Sequence, residues 1–314
     1  MLSRLVPTAA LLAGMAVGLS AQGGSPTLLS QLVWFDRAGT RLQTVGPVGN
    51  HGNVELSPDG RQVAVAVMDP ARRTRDIWLY DVQGDGRTKF TVSDADENWA
   101  IWSRDGRRIV FNSNRRSGRL DLFQSASTAG SDPQVLLEDG MWPVSFAPDG
   151  QHILFVVNSQ ATGNDVMVLP LTGDRRPYPF ARSEVAENWA AFSPDGRWVA
   201  YSSTESGQSE VYVAAFPPTR EGFANKRRVS PDGGSQARWR RDGREIFYIG
   251  VDRSLMVTAV NGEGKTFEVG EMRRLFEPRF FFLDSHGFDL AADAQRILVN
   301  TLIISPATPA AVAE

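Results

Sequence analysis

Apolar and polar residues alternate in short runs along most of the chain, and a repeated turn sequence separates these runs. The tetrapeptide Ser-Pro-Asp-Gly stands at Ser57–Gly60 and Ser193–Gly196, and close variants recur in the same frame. The spacing of the repeated aspartates is 44 to 51 residues, at Asp59, Asp105, Asp149, Asp195, Asp242 and Asp293. A period in this range is typical of arrays and propellers.

Each repeated aspartate lies between two runs with the pattern of β-strands. The residue three positions earlier is always large and apolar: Leu56, Trp102, Phe146, Phe192, Trp239 and Leu290. The residue five positions earlier is also apolar, which gives the period-two alternation of a strand. Pro, Asp and Gly favour a tight turn between two such strands. We therefore interpret the aspartates as turn residues rather than catalysts, and we predict positive φ at Gly60, Gly106, Gly150, Gly196 and Gly243.

Two further strand-like runs complete each unit. In the first unit they are DIWLYDV from Asp76 and TKFTV from Thr88. Four strands in about 46 residues are typical of one propeller blade. The sixth unit has only two strands before residue 302, and the N-terminal runs QLVWFDR from Gln31 and RLQTVG from Arg41 resemble the missing pair. The sequence predicts an all-β, six-bladed β-propeller with four antiparallel strands per blade, its last blade closed by the N-terminal strands, because closure removes free sheet edges.

Several longer motifs then resemble a known family. They are FNSNR at Phe111, TGNDV at Thr162, FSPDGRWVAY at Phe192, EVYVAAFP at Glu210 and RWRRDGREIFY at Arg238. These motifs resemble the TolB-type, WD-repeat-like six-bladed propellers of bacteria, and particularly the propeller found behind bacterial serine/threonine protein kinase domains. The resemblance covers about residues 30–302 and implies binding of a protein or peptide partner, although the motifs of the kinase domain are absent from this sequence.

The N-terminal residues have the order of an export signal. Arg4 precedes an apolar run that is followed by Ser20 and Ala21, and this run is too short and interrupted to span a bilayer comfortably. We predict a signal peptide at residues 1–21, a linker at 22–30, the propeller at 31–302 and a flexible tail at 303–314. The expected location is periplasmic or secreted, with no integral membrane segment after cleavage; an uncleaved anchor is the alternative.

Composition excludes several classes of function. The 314 residues include 33 Lys and Arg against 36 Asp and Glu, so no basic excess points to nucleic acid. Cysteine is absent, which excludes disulfides, thiolate metal sites and cysteine nucleophiles. The motif G-x-S-x-G of α/β-hydrolases is also absent, so peptidase activity is not expected.

The candidate site is one mouth of the central channel, where the first strands of the blades begin. Residues near the starts of these strands form the candidate set: His51, Glu97, Asn98, Trp142, Glu187, Asn188, Gln236 and His286. Of these, His51, Glu97, Glu187 and His286 are candidate metal ligands. Oxygen ligands suit calcium and imidazoles suit a transition metal. We expect both histidines to face the same opening. The favoured interpretation is a water-filled channel without a cofactor, whose Glu and Asn side chains bond to loop backbone; a divalent cation such as calcium, or another small polar ligand, held in the channel is the alternative.

Two functions stay open from the sequence. The favoured one is an exported, non-enzymatic propeller scaffold, expected to be monomeric, that binds a protein or peptide partner through its loops and channel mouth. The alternative is a metal-dependent lyase or hydrolase that acts on a sugar at the same mouth. The repeated Trp99 and Trp189 are interpreted as residues that pack within the blades rather than as a binding platform.

Overall fold

The computed structural model describes residues 28–116, 118–219, 223, 225–264, 266–281 and 285–303. It contains six four-stranded antiparallel sheets, which form the six blades of a propeller. This architecture confirms the predicted fold class. The predicted signal peptide, most of the predicted linker and the tail from residue 304 lie outside the described residues.

Blades one to five follow one another along the chain, and each is a four-stranded meander. Blade one consists of β3 (His51–Leu56), β4 (Gln62–Met68), β5 (Arg75–Asp81) and β6 (Arg87–Lys89). Blade two consists of β7 (Glu97–Trp102), β8 (Arg108–Ser113), β9 (Asp121–Ala126) and β10 (Gln134–Leu137). Blade three consists of β11 (Trp142–Phe146), β12 (His152–Ser159), β13 (Gly163–Pro170) and β14 (Tyr178–Ala181).

The remaining blades include the composite one. Blade four consists of β15 (Glu187–Phe192), β16 (Trp198–Ser203), β17 (Glu210–Ala215) and β18 (Arg227–Arg228). Blade five consists of β19 (Ser235–Trp239), β20 (Glu245–Ile249), β21 (Leu255–Asn261) and β22 (Glu268–Phe276). Blade six joins both ends of the described chain: β23 (Phe288–Leu290), β24 (Arg296–Ile303), β1 (Leu29–Asp36) and β2 (Arg41–Gly49).

The closure of blade six follows the prediction. β1 pairs with β24 over eight residue pairs, from Leu29 with Ile303 to Asp36 with Arg296. β2 then pairs with β1 as the outermost strand. Pairing extends slightly beyond the predicted propeller bounds, because Leu29 and Ile303 both lie in the ladder.

The repeated aspartates shape the turn between the first and second strands. In blade one, Ser57 Oγ donates to Asp59 Oδ1 at 2.6 Å, and the same oxygen accepts from Arg61 N at 3.1 Å. These bonds lower the pKa of Asp59, the hydroxyl of Ser57 most of all. The five glycines predicted to have positive φ have values between 68° and 75°. Both the turn role of the aspartates and the glycine conformation are confirmed.

The apolar faces of neighbouring blades pack on one another to form the core, and tryptophan side chains fix this packing. Trp102 Nε1 of blade two donates to Glu55 O of blade one at 3.3 Å. Trp239 Nε1 of blade five makes the equivalent bond to Ala191 O of blade four at 3.0 Å. These two bonds join blade one to blade two and blade four to blade five. Among the described residues, no helix has the length and apolarity that a bilayer crossing requires.

Candidate functional site

The first strands of several blades contain a β-bulge at the same place. The register shifts between Asn98 and Ile101 in β7 and between Asn188 and Ala191 in β15. The bulges place Trp99 at φ 54° and Trp189 at φ 55°. A bulky residue in the left-handed region is strained by about 1–3 kcal/mol, and a bulge redirects the side chain that it carries.

The redirected side chains line a cavity at the mouth where the first strands begin, which we call the upper mouth. The cavity holds about 340 Å³. The ring centroid of Trp99 lies 5.9 Å from that of Trp142 and 5.4 Å from that of Trp189, so three tryptophans from three blades meet there. We call this cavity the tryptophan pocket.

Amide side chains supply the polar part of the tryptophan pocket. Asn188 Oδ1 accepts from Asn164 Nδ2 at 2.7 Å, and Asn98 Oδ1 accepts from Trp99 N at 2.9 Å. Within the described part of the chain, the amide NH₂ groups of Asn98 and Asn188 have no acceptor. The pocket therefore offers hydrogen-bond donors beside aromatic faces.

His286 contacts the tryptophans from within the channel. Its ring lies 5.5 Å from Trp99 and 5.3 Å from Trp189. Its Nδ1 lies 2.9 Å from Arg238 Nη2, and because arginine can only donate, this nitrogen is an acceptor. Burial, and then the charge of Arg238, hold the pKa of His286 well below its usual value. His286 is therefore a neutral ring at physiological pH.

Arg238 continues the contacts towards the other end of the channel. Its Nη2 also donates to Glu55 Oε2 at 2.6 Å. Burial raises the pKa of Glu55 to about 7; Arg238 opposes this shift, and the carboxylate of Asp289 adds to it. Glu55 and Arg238 line a second cavity, so the chain Glu55–Arg238–His286 runs between the two mouths.

The structure divides the predicted site residues into two groups. Asn98, Trp142 and Asn188 line the tryptophan pocket. Glu97 and Glu187 are buried away from it. Glu97 accepts hydrogen bonds from Ser93 Oγ and from Arg115, Glu187 accepts from Ser183 Oγ, and burial raises the pKa of Glu187.

The two histidines do not share an opening, so that expectation is wrong. His51 Nδ1 lies 3.0 Å from Ser30 Oγ, and its ring packs at 5.9 Å against Tyr80, between blades six and one. Burial lowers the pKa of His51 to about 4. The physical reason is strand alternation beyond the bulge: His51, Glu97 and Glu187 each stand one residue before a residue that lines the pocket, so they face the blade interior.

The candidate metal ligands are consequently kept apart by their own partners. Across the described ranges, no group of three or more His, Asp or Glu side chains is placed to hold a metal ion. Gln236 is buried, and its Oε1 accepts from Gly287 N at 2.9 Å, which ties blade five to blade six.

Trp99 is buried in a hydrophobic cluster of the core, and Trp189 packs against that cluster, as the packing interpretation expects. Sequence reasoning missed that both side chains also line the cavity at the upper mouth. They contact each other across the channel and line the tryptophan pocket. Their position, six residues before the repeated aspartate, carried the relevant signal. The residues at that position vary strongly, unlike a core position: Asn53, Trp99, Pro143, Trp189, Gln236 and Gly287.

Comparisons with known proteins give curated relatives with peptidase names, although no family model matches the chain. Dipeptidyl-peptidase 5 of Porphyromonas gingivalis is 25% identical, with an alignment that covers 60% of this chain and 37% of that protein. The "uncharacterized peptidase YuxL" of Bacillus subtilis is 23% identical, covering 51% of this chain and 31% of that protein. The chain spans about a third of the length of these relatives.

Solved structures show the same fold at low sequence identity. A protein described as TolB from Agrobacterium tumefaciens has a TM-score of 0.68 and 15% identity, with 89% of this chain and all of that chain covered. TolB from Acinetobacter baumannii has a TM-score of 0.57 and 16% identity, covering 78% of this chain and 66% of that chain. An oligogalacturonate lyase solved with manganese has a TM-score of 0.54 and 11% identity, covering 87% of this chain and 96% of that chain. The likeness to a TolB-type propeller is thereby confirmed as a likeness of fold.

The relatives correct the expected function. The expectation of a non-enzymatic partner-binding scaffold is wrong, because the two curated relatives described above are named peptidases. The absence of G-x-S-x-G misled the sequence argument. A nucleophile motif tests only for the residues that cleave, whereas the similarity to these peptidases is carried by a segment of propeller sequence.

Proposed function

We propose that this propeller is the substrate-binding part of a peptidase, and that the tryptophan pocket holds a segment of the peptide. The curated relatives with peptidase names support the reaction class. The observation that carries the binding role is the meeting of Trp99, Trp142 and Trp189 at the upper mouth, next to unpaired amide donors.

The chemistry of the pocket suits a peptide. Indole faces pack against apolar side chains, and such contacts are among the strongest that a binding site can offer. The NH₂ groups of Asn98 and Asn188 can donate to peptide carbonyl oxygens, and Arg75, which also lines the pocket, adds a further donor. The strained φ values of Trp99 and Trp189 support the proposal, since strain persists mainly where it serves function.

The proposal assigns binding, and not cleavage, to these residues. His286 is a poor general base, because its Nδ1 is held by Arg238 and burial depresses its pKa. Ser285 Oγ, which lies next to it in sequence, has no hydrogen-bond partner among the described residues and therefore no base to activate it. The groups that cleave the peptide bond come, in this proposal, from outside the propeller.

Quenching of tryptophan fluorescence tests the binding role. The probes are acetylated, amidated tetrapeptides with Ala, Leu, Phe or Pro at the third position. We expect the larger apolar members to bind and Trp189→Ala or Asn188→Leu to weaken binding by about ten-fold or more. Trp78→Ala, on β5 away from the pocket, is the matched control and should bind as the unmodified protein does. Equal affinity in all variants would contradict the proposal.

A kinetic assay tests the reaction class. The protein purified from its own cells should hydrolyse dipeptidyl p-nitroanilides, and Trp189→Ala should raise KM more than it lowers kcat. A preparation that binds the tetrapeptides but has no hydrolytic activity would refute the peptidase assignment, and the binding role of the tryptophan pocket would still be supported.

We also propose that the protein is exported and acts as a monomer in the periplasm or outside the cell. The order of charge, apolar run and small residues in residues 1–21 supports export. Cell fractionation with N-terminal sequencing tests it, with a mature start near residue 22 as the expected result. A cytoplasmic protein with an intact Met1 would contradict the proposal, and sedimentation of the purified protein tests the monomer.

A further inference from the structure

The channel has a second cavity at its other end, where the repeated turns lie; we call this end the lower mouth. The cavity holds about 520 Å³. Glu55, Arg238 and Asp289 line it, and so do the large apolar residues that precede each repeated aspartate by three positions: Leu56, Trp102, Phe146, Phe192, Trp239 and Leu290. Every blade therefore contributes one apolar side chain to a ring around this mouth.

The rim above this ring carries two arginines on opposite sides. The residue immediately before each repeated aspartate lines the cavity in all six blades: Pro58, Arg104, Pro148, Pro194, Arg241 and Ala292. Arg104 belongs to blade two and Arg241 to blade five. Two blades lie between them on each side of a ring of six, so the two guanidinium groups flank the opening from opposite sides.

The carboxylates of the cavity are already satisfied by the protein. Asp59 Oδ1 accepts from Ser57 Oγ and Arg61 N, and Asp289 accepts from the backbone N of Leu56 and of Leu290. Glu55 Oε2 accepts from Arg238.

The two rim arginines, by contrast, are unused. Arg104 and Arg241 are exposed and make no hydrogen bond or ion pair to any residue in the ranges that the structure describes. Neighbouring arginines behave differently: Arg240, next to Arg241, pairs with Asp242 and Glu245.

Arg61 and Arg296 also line the cavity, but Arg61 lies 4.0 Å from a carboxylate oxygen of Asp59 and Arg296 packs over the ring of Trp34 at 5.1 Å. Arg104 and Arg241 have neither kind of contact, and their placement on opposite sides favours a ligand with two separated anionic acceptors.

We propose that the lower mouth is a second binding site, which takes an acidic peptide whose two carboxylates bond to Arg104 and Arg241 and whose apolar side chains pack on the ring between them. The four aromatic members of the ring fit apolar side chains. Asp59 and Asp293 also lie at the rim, and they repel a ligand with closely spaced charges, such as a nucleic acid or a polyuronate. A peptide with spaced carboxylates avoids them.

Fluorescence polarisation with labelled peptides tests this site. The probes are acetylated peptides that carry two glutamates separated by one to six residues, with phenylalanine between them, and a matched series with glutamine in place of glutamate. We expect one spacing to bind best and the glutamine series to bind at least about five-fold more weakly. Arg104→Gln and Arg241→Gln should each cause a similar loss.

Two control variants distinguish a site from general surface charge. Arg107→Gln and Arg244→Gln remove exposed arginines of the same two turns that do not line the cavity, and they should leave binding unchanged. Trp189→Ala, at the opposite mouth, should also leave the affinity for the acidic peptide unchanged. The test of this site is therefore independent of the test of the proposed function.

Three outcomes would overturn the proposal. The first is a series in which no spacing binds. The second is equal weakening by Arg107→Gln and Arg104→Gln, which would indicate nonspecific attraction. The third is displacement of the bound peptide by an oligogalacturonate or a short oligonucleotide at lower concentration than by unlabelled peptide, which would assign the mouth to another class of ligand.

Discussion

Glu55 should make the stability of the propeller depend on pH in the neutral range. Burial raises its pKa from 4.5 to about 7, so the folded protein holds this proton more tightly than the unfolded chain does. A group of this kind contributes stability that is fully present below about pH 4.5 and is lost as the pH rises through about 7. The difference between the two pKa values corresponds to about 3 kcal/mol.

Glu55→Gln isolates this contribution, because glutamine has a similar shape and does not titrate. The free energy of unfolding of both proteins is measured by urea titration at intervals from about pH 4.5 to about pH 8.5. The stability of the unmodified protein relative to the variant should fall by about 3 kcal/mol across this range. Taking the difference between the two proteins cancels the titrating groups that do not interact with Glu55, and leaves Glu55 with its neighbours Arg238 and Asp289.

Asp59→Asn is the matched control from the same cavity. The hydroxyl of Ser57 and the backbone N of Arg61 lower the pKa of Asp59, so its contribution to stability is lost only as the pH falls through that lowered pKa. The stability difference for this variant should therefore be flat above about pH 5. A flat profile for Glu55→Gln, or one that rises with pH, would refute the account of Glu55 as a carboxyl group whose charge is destabilised by burial.

Further predictions concern the closure of the ring and its turns. Deleting residues 29–49 should abolish the single cooperative melt seen by calorimetry, because blade six then lacks its third and fourth strands. Gly46→Ala should destabilise by about 3 kcal/mol or more in urea titration, since φ is 64° and a Cβ would collide with the ring of Tyr80. Gly150→Ala, at φ 68° with no atom near its Cβ, should cost only about 1 kcal/mol in the same assay. Ala294→Gly should change stability by less than about 1 kcal/mol, because relief of the φ of 52° is offset by loss of a methyl group that is buried in the core.

The fold could be predicted because each blade repeats the same local pattern. Strand alternation, the turn residues and the spacing of the aspartates all predict the same architecture. A sequence specifies one fold when its local patterns and its repeat spacing agree in this way. The incomplete sixth unit was informative for the same reason, since the missing strands are recognisable near Gln31 and Arg41.

The site was harder to predict because a bulge adds one residue to a strand. Strand alternation counted back from each repeated aspartate predicts correctly which way the side chains point at the third and fifth residues before it. Beyond the bulge, Asn98 and Trp99 both line the pocket, and Glu97 faces inward to Arg115. A register shift of this kind leaves no period in the sequence, so the channel side of the strand could not be assigned from spacing. The contacts of Trp99 with Trp142 and Trp189 join three blades, so they form only when the blades are assembled and could not be predicted from one strand.

The pairing of Leu29 with Ile303 sets an order of events during protein synthesis. The ribosome makes β1 and β2 first, but their partner β24 is completed 274 residues after Leu29. Blades one to five are built from neighbouring strands and can form as they emerge, whereas the first hairpin has to wait for the end of the propeller sequence with one edge unpaired. Its nine-residue outer strand carries Leu42 and Val48 on the exposed surface. During this interval the nascent chain exposes an unpaired strand edge that can pair with other chains. A chaperone or export factor that covers residues 29–49 until residue 303 has been synthesised would therefore increase the fraction of chains that close the propeller.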